Sequence, residues 1–108
     1  MSESAVVRAV CAYLTAVGVF HWRNNTGAAR FRAGSGERVV RFGVPGSPDI
    51  LGILPGGRAL GIECKASGGR LSPAQRAWGE RMTRLGALWI VARSIDDVKS
   101  GLEVEHDG

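Results

Sequence analysis

Cysteine and histidine are both scarce in this chain of 108 residues, with two of each. Cys11 and Cys64 stand far apart and outside any CxxC or Cys/His cluster, which argues against a disulfide framework or a structural zinc site and for a reducing compartment. With only His21 and His106 available, the second close to the C-terminus, no Ser/His/Asp or Cys/His catalytic set competes for the chemistry. Long apolar runs are missing too. The stretch Ala9–Phe20 is too short to span a bilayer, and Glu3 and Arg8 ahead of it make a poor signal-peptide start, so the expectation is a cytoplasmic chain without a membrane partner. Acids are thin over most of the length: residues 1–95 hold 13 of the 14 basic side chains and 5 of the 10 acidic ones, a balance of 13 − 5 = +8.

Twelve of those thirteen basic residues are arginine, which favours bidentate contacts to phosphate over simple charge. A basic body points to an anionic polymer, and nucleic acid fits better than a membrane surface; a solvated basic face without a partner is the plain alternative. The composition, 44% hydrophobic and 22% charged, is that of a folded chain, and its length suits one domain over residues 1–108. The acidic end, about 101–108, reads as a loose tail.

Val7, Val10, Cys11, Leu14 and Val17 recur at helical spacing, predicting an amphipathic helix from Ser4 to Val17 that Gly18 ends. Strands are expected over Val19–Arg23 and Arg38–Phe42, with the polar run Asn24-Asn25-Thr26-Gly27 as a turn and residues 43–48 as a loop. Asp49–Leu54 and Arg58–Cys64, parted by Pro55-Gly56-Gly57, read as a β-hairpin. Ser72-Pro73-Ala74-Gln75 opens a helix to Leu85 with a capping box, Ala87–Ala92 is a buried strand, and Ser94-Ile95-Asp96-Asp97 begins a short last helix. The order α-β-β-β-β-α-β-α predicts helices covering a mixed sheet.

The chemistry gathers on the Pro55-Gly56-Gly57 hairpin. Residues two apart on a strand share a face, so Glu63 and Lys65 present a carboxylate and an ammonium side by side while Cys64 points to the core. Pairing the strands outward from the turn brings Asp49 near Glu63. Two carboxylates there suit a hard divalent cation, which would polarise a scissile phosphate and acidify a water while Lys65 holds that water or stabilises developing charge. Pro-Asp is a common turn dipeptide and Glu-x-Lys a common strand face; their joint placement after Leu60-Gly61-Ile62 in an apolar strand is what points to function.

These residues resemble the VRR-NUC domain of the PD-(D/E)XK nuclease superfamily. The likeness runs from Gly46-Ser47-Pro48-Asp49-Ile50 through Gly57-Arg58, Ile62-Glu63-Cys64-Lys65-Ala66 and Gly69-Arg70-Leu71-Ser72-Pro73-Ala74-Gln75 to Leu85-Gly86 and Val91-Ala92-Arg93-Ser94, with Trp22-Arg23-Asn24-Asn25-Thr26-Gly27 upstream. It implies a restriction-endonuclease-like PD-(D/E)XK fold, a mixed β-sheet flanked by α-helices. It also implies a Mg²⁺- or Mn²⁺-dependent endonuclease acting on DNA, with Asp49 and Glu63 ligating metal, the Cys64 carbonyl completing the set and Lys65 as the catalytic lysine. Small stand-alone, phage-type members act as homodimers on branched DNA such as four-way (Holliday) junctions, which for a phage-encoded chain means the host cytoplasm.

Further positions carry two readings each. Glu3 matches a family glutamate on the first helix, on the face of Val7, Val10 and Leu14 that would point toward the site as a catalytic candidate, and is also a first-turn acid favoured by the helix dipole. Gln75 matches a family glutamine and is also the capping-box residue. Arg23, Asn24, Asn25, Arg30 and Arg32, in or beside a glycine-containing loop, and Arg70 form a candidate phosphate-contacting surface, or ordinary surface polarity. Trp22, Trp78 and Trp89 read as core or interface rather than base-stacking platforms. The rival functions are a catalytically silent nucleic-acid-binding or assembly module and an RNA-directed nuclease.

Overall fold

The computed structural model describes residues 1–25 and 27–107, with backbone alone at 28, 29, 33 and 104–107. Thr26, part of the expected turn, lies outside the described residues. Helix α1 spans Glu3–Ala16, capped by the Ser2 hydroxyl, which accepts from the Ala5 N–H. Its Val6, Val7, Val10 and Leu14 are buried, the i, i+3/i+4, i+7 stripe of a helix lying on a sheet.

That sheet has four strands in the order β1 (Phe20–Arg23), β4 (Ile50–Ile53), β5 (Ala59–Cys64), β6 (Leu88–Ala92). The first two junctions are antiparallel and the last, reached through helix α2 (Pro73–Arg84), is parallel. Gly56 and Gly57 adopt φ near +90° in the β4–β5 turn, which only glycine takes without strain. Both faces of the sheet are covered, and β6 shows how. A Cβ on Gly79 of α2 would meet the Trp89 ring at 2.3 Å, whereas one on Gly101 of α3 (Ile95–Asp107) would meet Ile90 at 2.5 Å. Successive strand residues face opposite ways, so α2 lies on one side of the sheet and α3, beside α1, on the other. Coverage of both faces explains why Leu60 to Cys64 are all buried. The result is a mixed α/β, restriction-endonuclease-like architecture.

Two expectations change. Residues 27–33, read as a loop, form strand β2 (Gly27–Ala33), paired along its whole length with β3 (Gly36–Phe42) in a separate two-stranded sheet. The segment is rich in alanine and arginine and lacks an apolar alternation, so its strand character comes from the pairing. Gly34-Ser35, a two-residue hairpin turn with Gly34 at φ 62°, was the signal that could have found it. The final helix is also longer than expected: α3 runs to Asp107 through the stretch read as a tail.

Candidate active site

Charge at a buried strand is costly unless it is paired or used, and two charged groups flank the last residue of β5. Glu63 is 1% exposed and Lys65, one residue past the strand, 8%. The Lys65 N–H still donates to Ala92 O at 2.9 Å, so β6 holds the backbone extended there and the two side chains share a face. Cys64 between them is fully buried in the core cluster. On the antiparallel side, the register setting Ile50 against Ile62 places Asp49 opposite Glu63. The Cys64 N–H donates to Asp49 Oδ2 at 2.8 Å and orients that carboxylate.

Asp49 is held from its N-terminal side as well. The loop before it packs so tightly on the first turn of α2 that a Cβ at Gly46 would lie 2.7 Å from the Ala74 backbone. The Trp78 indole donates to Pro45 O at 3.1 Å. Asn24 donates through its side-chain amide to Ser47 Oγ at 2.8 Å and Pro48 O at 2.9 Å, and through its backbone to Asp49 O at 2.8 Å. These bonds commit the Asn24 amide to the loop that carries Asp49.

The structure brings a third carboxylate to this pair. Glu3, in the first turn of α1, has an oxygen that lies with those of Asp49 and Glu63 in a group whose members are all within 4.8 Å of one another. Gln75 bonds in two directions. Its Oε1 accepts from the Ser72 N–H at 2.8 Å in the capping box, which leaves the amide nitrogen to donate to Glu63 Oε1 at 3.0 Å. The cap thus fixes the amide in the orientation that serves Glu63.

Glu63 Oε2 is buried and forms no hydrogen bond to a described residue. Burial, then the charge of Asp49 beside it, push the Glu63 carboxyl up to about 8; Lys65 pulls the other way and Glu3 adds to the rise. An orphan carboxylate oxygen, two further carboxylates and too little positive charge to balance them form a donor set that fits a hard divalent cation. The Cys64 thiol, driven up to about 12 by burial and then by Asp49 and Glu63, is neutral and no nucleophile.

Arg23, Asn24, Asn25 and Asp49 line a cleft of about 370 Å³. Arg70 is exposed between Lys65 and the start of α2. Arg30 and Arg32 lie outside the cleft, on β2. Arg93 has a bracing role that sequence reasoning missed: its guanidinium donates to Gly69 O at 2.6 Å while its N–H donates to Asp97 Oδ2 at 2.8 Å, tying the segment after Lys65 to the start of α3. Asp97 was visible as a first-turn acid, but its partner was not. Trp22 is 44% exposed beside Phe20 on β1, their rings 5.8 Å apart.

Among known protein families, the one described as VRR-NUC domain matches residues 13–96. No curated protein and no solved structure matches the chain.

Proposed function

The chain belongs to the VRR-NUC family of PD-(D/E)XK-like nuclease domains, and from that premise we propose a divalent-metal-dependent endonuclease that hydrolyses DNA phosphodiester bonds. The observation that carries the reading is the buried Glu63 carboxylate with its orphan oxygen beside Asp49 and Glu3. Asp49 and Glu63 would hold Mg²⁺ or Mn²⁺, with Glu3 and the Cys64 carbonyl at the margin of the set. Such an ion supplies charge neutralisation at the phosphate and acidifies water.

The protein's own groups do the positioning. Gln75 and the Cys64 N–H hold the two central carboxylates in a fixed relation, so the site needs little rearrangement when it is loaded. Lys65, on the same face as Glu63, orients the attacking water and stabilises charge developing on the phosphoryl oxygens. Arg23 and Asn25 at the cleft, and Arg70 on the exposed segment after Lys65, receive flanking phosphates. Beyond the chemistry, we place the chain in the cytoplasm as a homodimer selective for branched DNA such as four-way junctions, since two-fold pairing would present two sites to a symmetric substrate. No described helix is long and apolar enough to cross a membrane, and both cysteines are free.

The test combines calorimetric titration with Mg²⁺ and Mn²⁺, cleavage of junction, nicked, single-stranded and duplex substrates in DNA and RNA versions, and light scattering. One or two ions bound, paired nicks across the DNA junction and a dimeric mass are expected. Cutting that persists in EDTA would sink the metal assignment. A monomer that digests linear duplex as fast as junctions would sink the assembly and substrate while sparing the metal site.

A further inference from the structure

The β2–β3 ribbon stands apart from the rest of the fold. Neither strand packs extensively on any helix or on the main sheet. An isolated two-stranded hairpin is marginal in water at best, yet this one displays apolar side chains: Phe31 is 53% exposed, Val39 52% and Val40 40%. The molecule is correspondingly elongated, 57 × 29 × 26 Å. Its radius of gyration is 15.3 Å, where a compact chain of this length would have about 13 Å.

Register sorts the ribbon into two faces. Arg30 pairs with Val39 and Arg32 with Glu37, so these four share one side, and Arg41, two residues on from Val39, joins them. Phe31 opposite Arg38, with Val40 and Phe42, makes the other. Residues 27–42 carry four arginines against Glu37 alone, 4 − 1 = +3. The one ion pair there among the described residues, Arg30 with Glu37 at 3.9 Å, is exposed and long, so it neutralises little. The ribbon is rooted at the cleft: Gly27 follows closely on Asn24 and Asn25, which line it, and Phe42 leads into the loop that delivers Asp49.

We propose that the β2–β3 ribbon is a DNA-gripping arm whose Arg30, Arg32 and Arg41 face contacts backbone phosphates of the duplex flanking the Asp49–Glu63 site. Arginine fits this task by its bidentate match to phosphate. Seven-residue strands make an arm roughly 20 Å long, and the major groove, about 12 Å wide, admits a two-stranded ribbon. The proposal rests on the nuclease reading for its ligand, but its test needs no cleavage.

Fluorescence anisotropy with a labelled 30-base-pair duplex in EDTA, across 50–200 mM salt, compares the parent with the triple variant Arg30→Gln, Arg32→Gln, Arg41→Gln. The variant should bind roughly tenfold or more weakly and lose about 3 from the slope of log affinity against log salt, near 0.9 for each phosphate contact. Phe31→Ser with Val40→Ser, on the opposite face, should keep the slope. A third variant replaces residues 28–41 by a short turn, which closes because Gly27 and Phe42 are direct cross-strand partners. It should lose duplex affinity like the triple variant yet still bind Mn²⁺ by calorimetry, which guards against misfolding. Parental affinity and slope in the triple variant overturn the arm. So does loss of dimer mass on changing the apolar face with no effect of the arginines, which would make the ribbon a protein interface. A parent that never cuts, but whose duplex binding vanishes with the three arginines, upholds the arm and sinks the nuclease reading.

Discussion

The end of β5 and the β2–β3 ribbon both concentrate charge, under opposite conditions. At Glu63 and Lys65 the charge is buried, the Asp49 and Glu63 carboxylates are each held by a named donor, and one Glu63 oxygen is left without a hydrogen-bond partner among the described residues. On the ribbon four arginines stand in solvent on an element without a core of its own. Burial makes each charge at the first site expensive, so its arrangement is tightly specified. Exposure makes each charge on the ribbon cheap to change, so its effect lies in summed attraction to a polyanion. A substitution should therefore act on chemistry and folding at the first region and on salt-dependent affinity at the second.

The sharpest way to break that contrast is to neutralise the buried charge while keeping its shape. Glu63→Gln and Asp49→Asn should each reduce cleavage by at least about 10³-fold, because one hard anionic ligand is lost. Glu63→Gln should at the same time leave the metal-free protein more stable above pH 8, since a neutral amide removes carboxylate repulsion. Single-turnover kinetics and thermal melts read both, and full activity in either folded variant would refute the site. Lys65→Ala should slow turnover by roughly 10²-fold or more with metal binding retained; calorimetry showing lost binding alongside normal cutting would contradict that role.

Gln75→Glu sharpens the comparison further, because glutamate can still close the capping box but sets a carboxylate 3.0 Å from Glu63. A loss of roughly tenfold or more in activity or metal affinity is expected; a variant that melts and cuts like the parent would reduce Gln75 to a cap. The smallest effect is on stability. The folded Glu63 carboxyl sits at about 8 against 4.5 when free, so folding favours its protonated form. That contribution is fully present below pH 4.5 and fades as pH rises through 8. The melting temperature in EDTA should fall by roughly 5 °C or more across that window, and Mn²⁺ should restore it most at the high end. A flat profile, unmoved by metal, would show that Glu63 is not strained by its neighbours.

Much of the scaffold was legible because its signals are short-range. The capping box at Ser72 and Gln75, the glycine turn after Pro55 and the two-residue period joining Glu63 to Lys65 each depend on neighbours a few residues away. The turn also sets strand register, which is why the sequence brings Asp49 near Glu63, and the observed register puts the two opposite each other. The ribbon escaped because β2 has little apolar pattern of its own, and the length of α3 escaped because acids near a chain end read as tail.

From the sequence alone came the pair at the hairpin end and the lysine beside it, since backbone period and turn geometry are local properties of the chain. Tertiary structure alone set how near Glu3 comes to that pair from another helix, and decided that the Gln75 cap aims its amide nitrogen at Glu63, that Asn24 fastens the loop before Asp49, and that the arginines of β2 and β3 stand on a projecting ribbon. Those contacts span separations at which no periodicity operates; they exist because α1 buries Val6, Val10 and Leu14 on the sheet and α2 packs Gly79 against Trp89, and helix packing sets where a side chain at a helix end arrives.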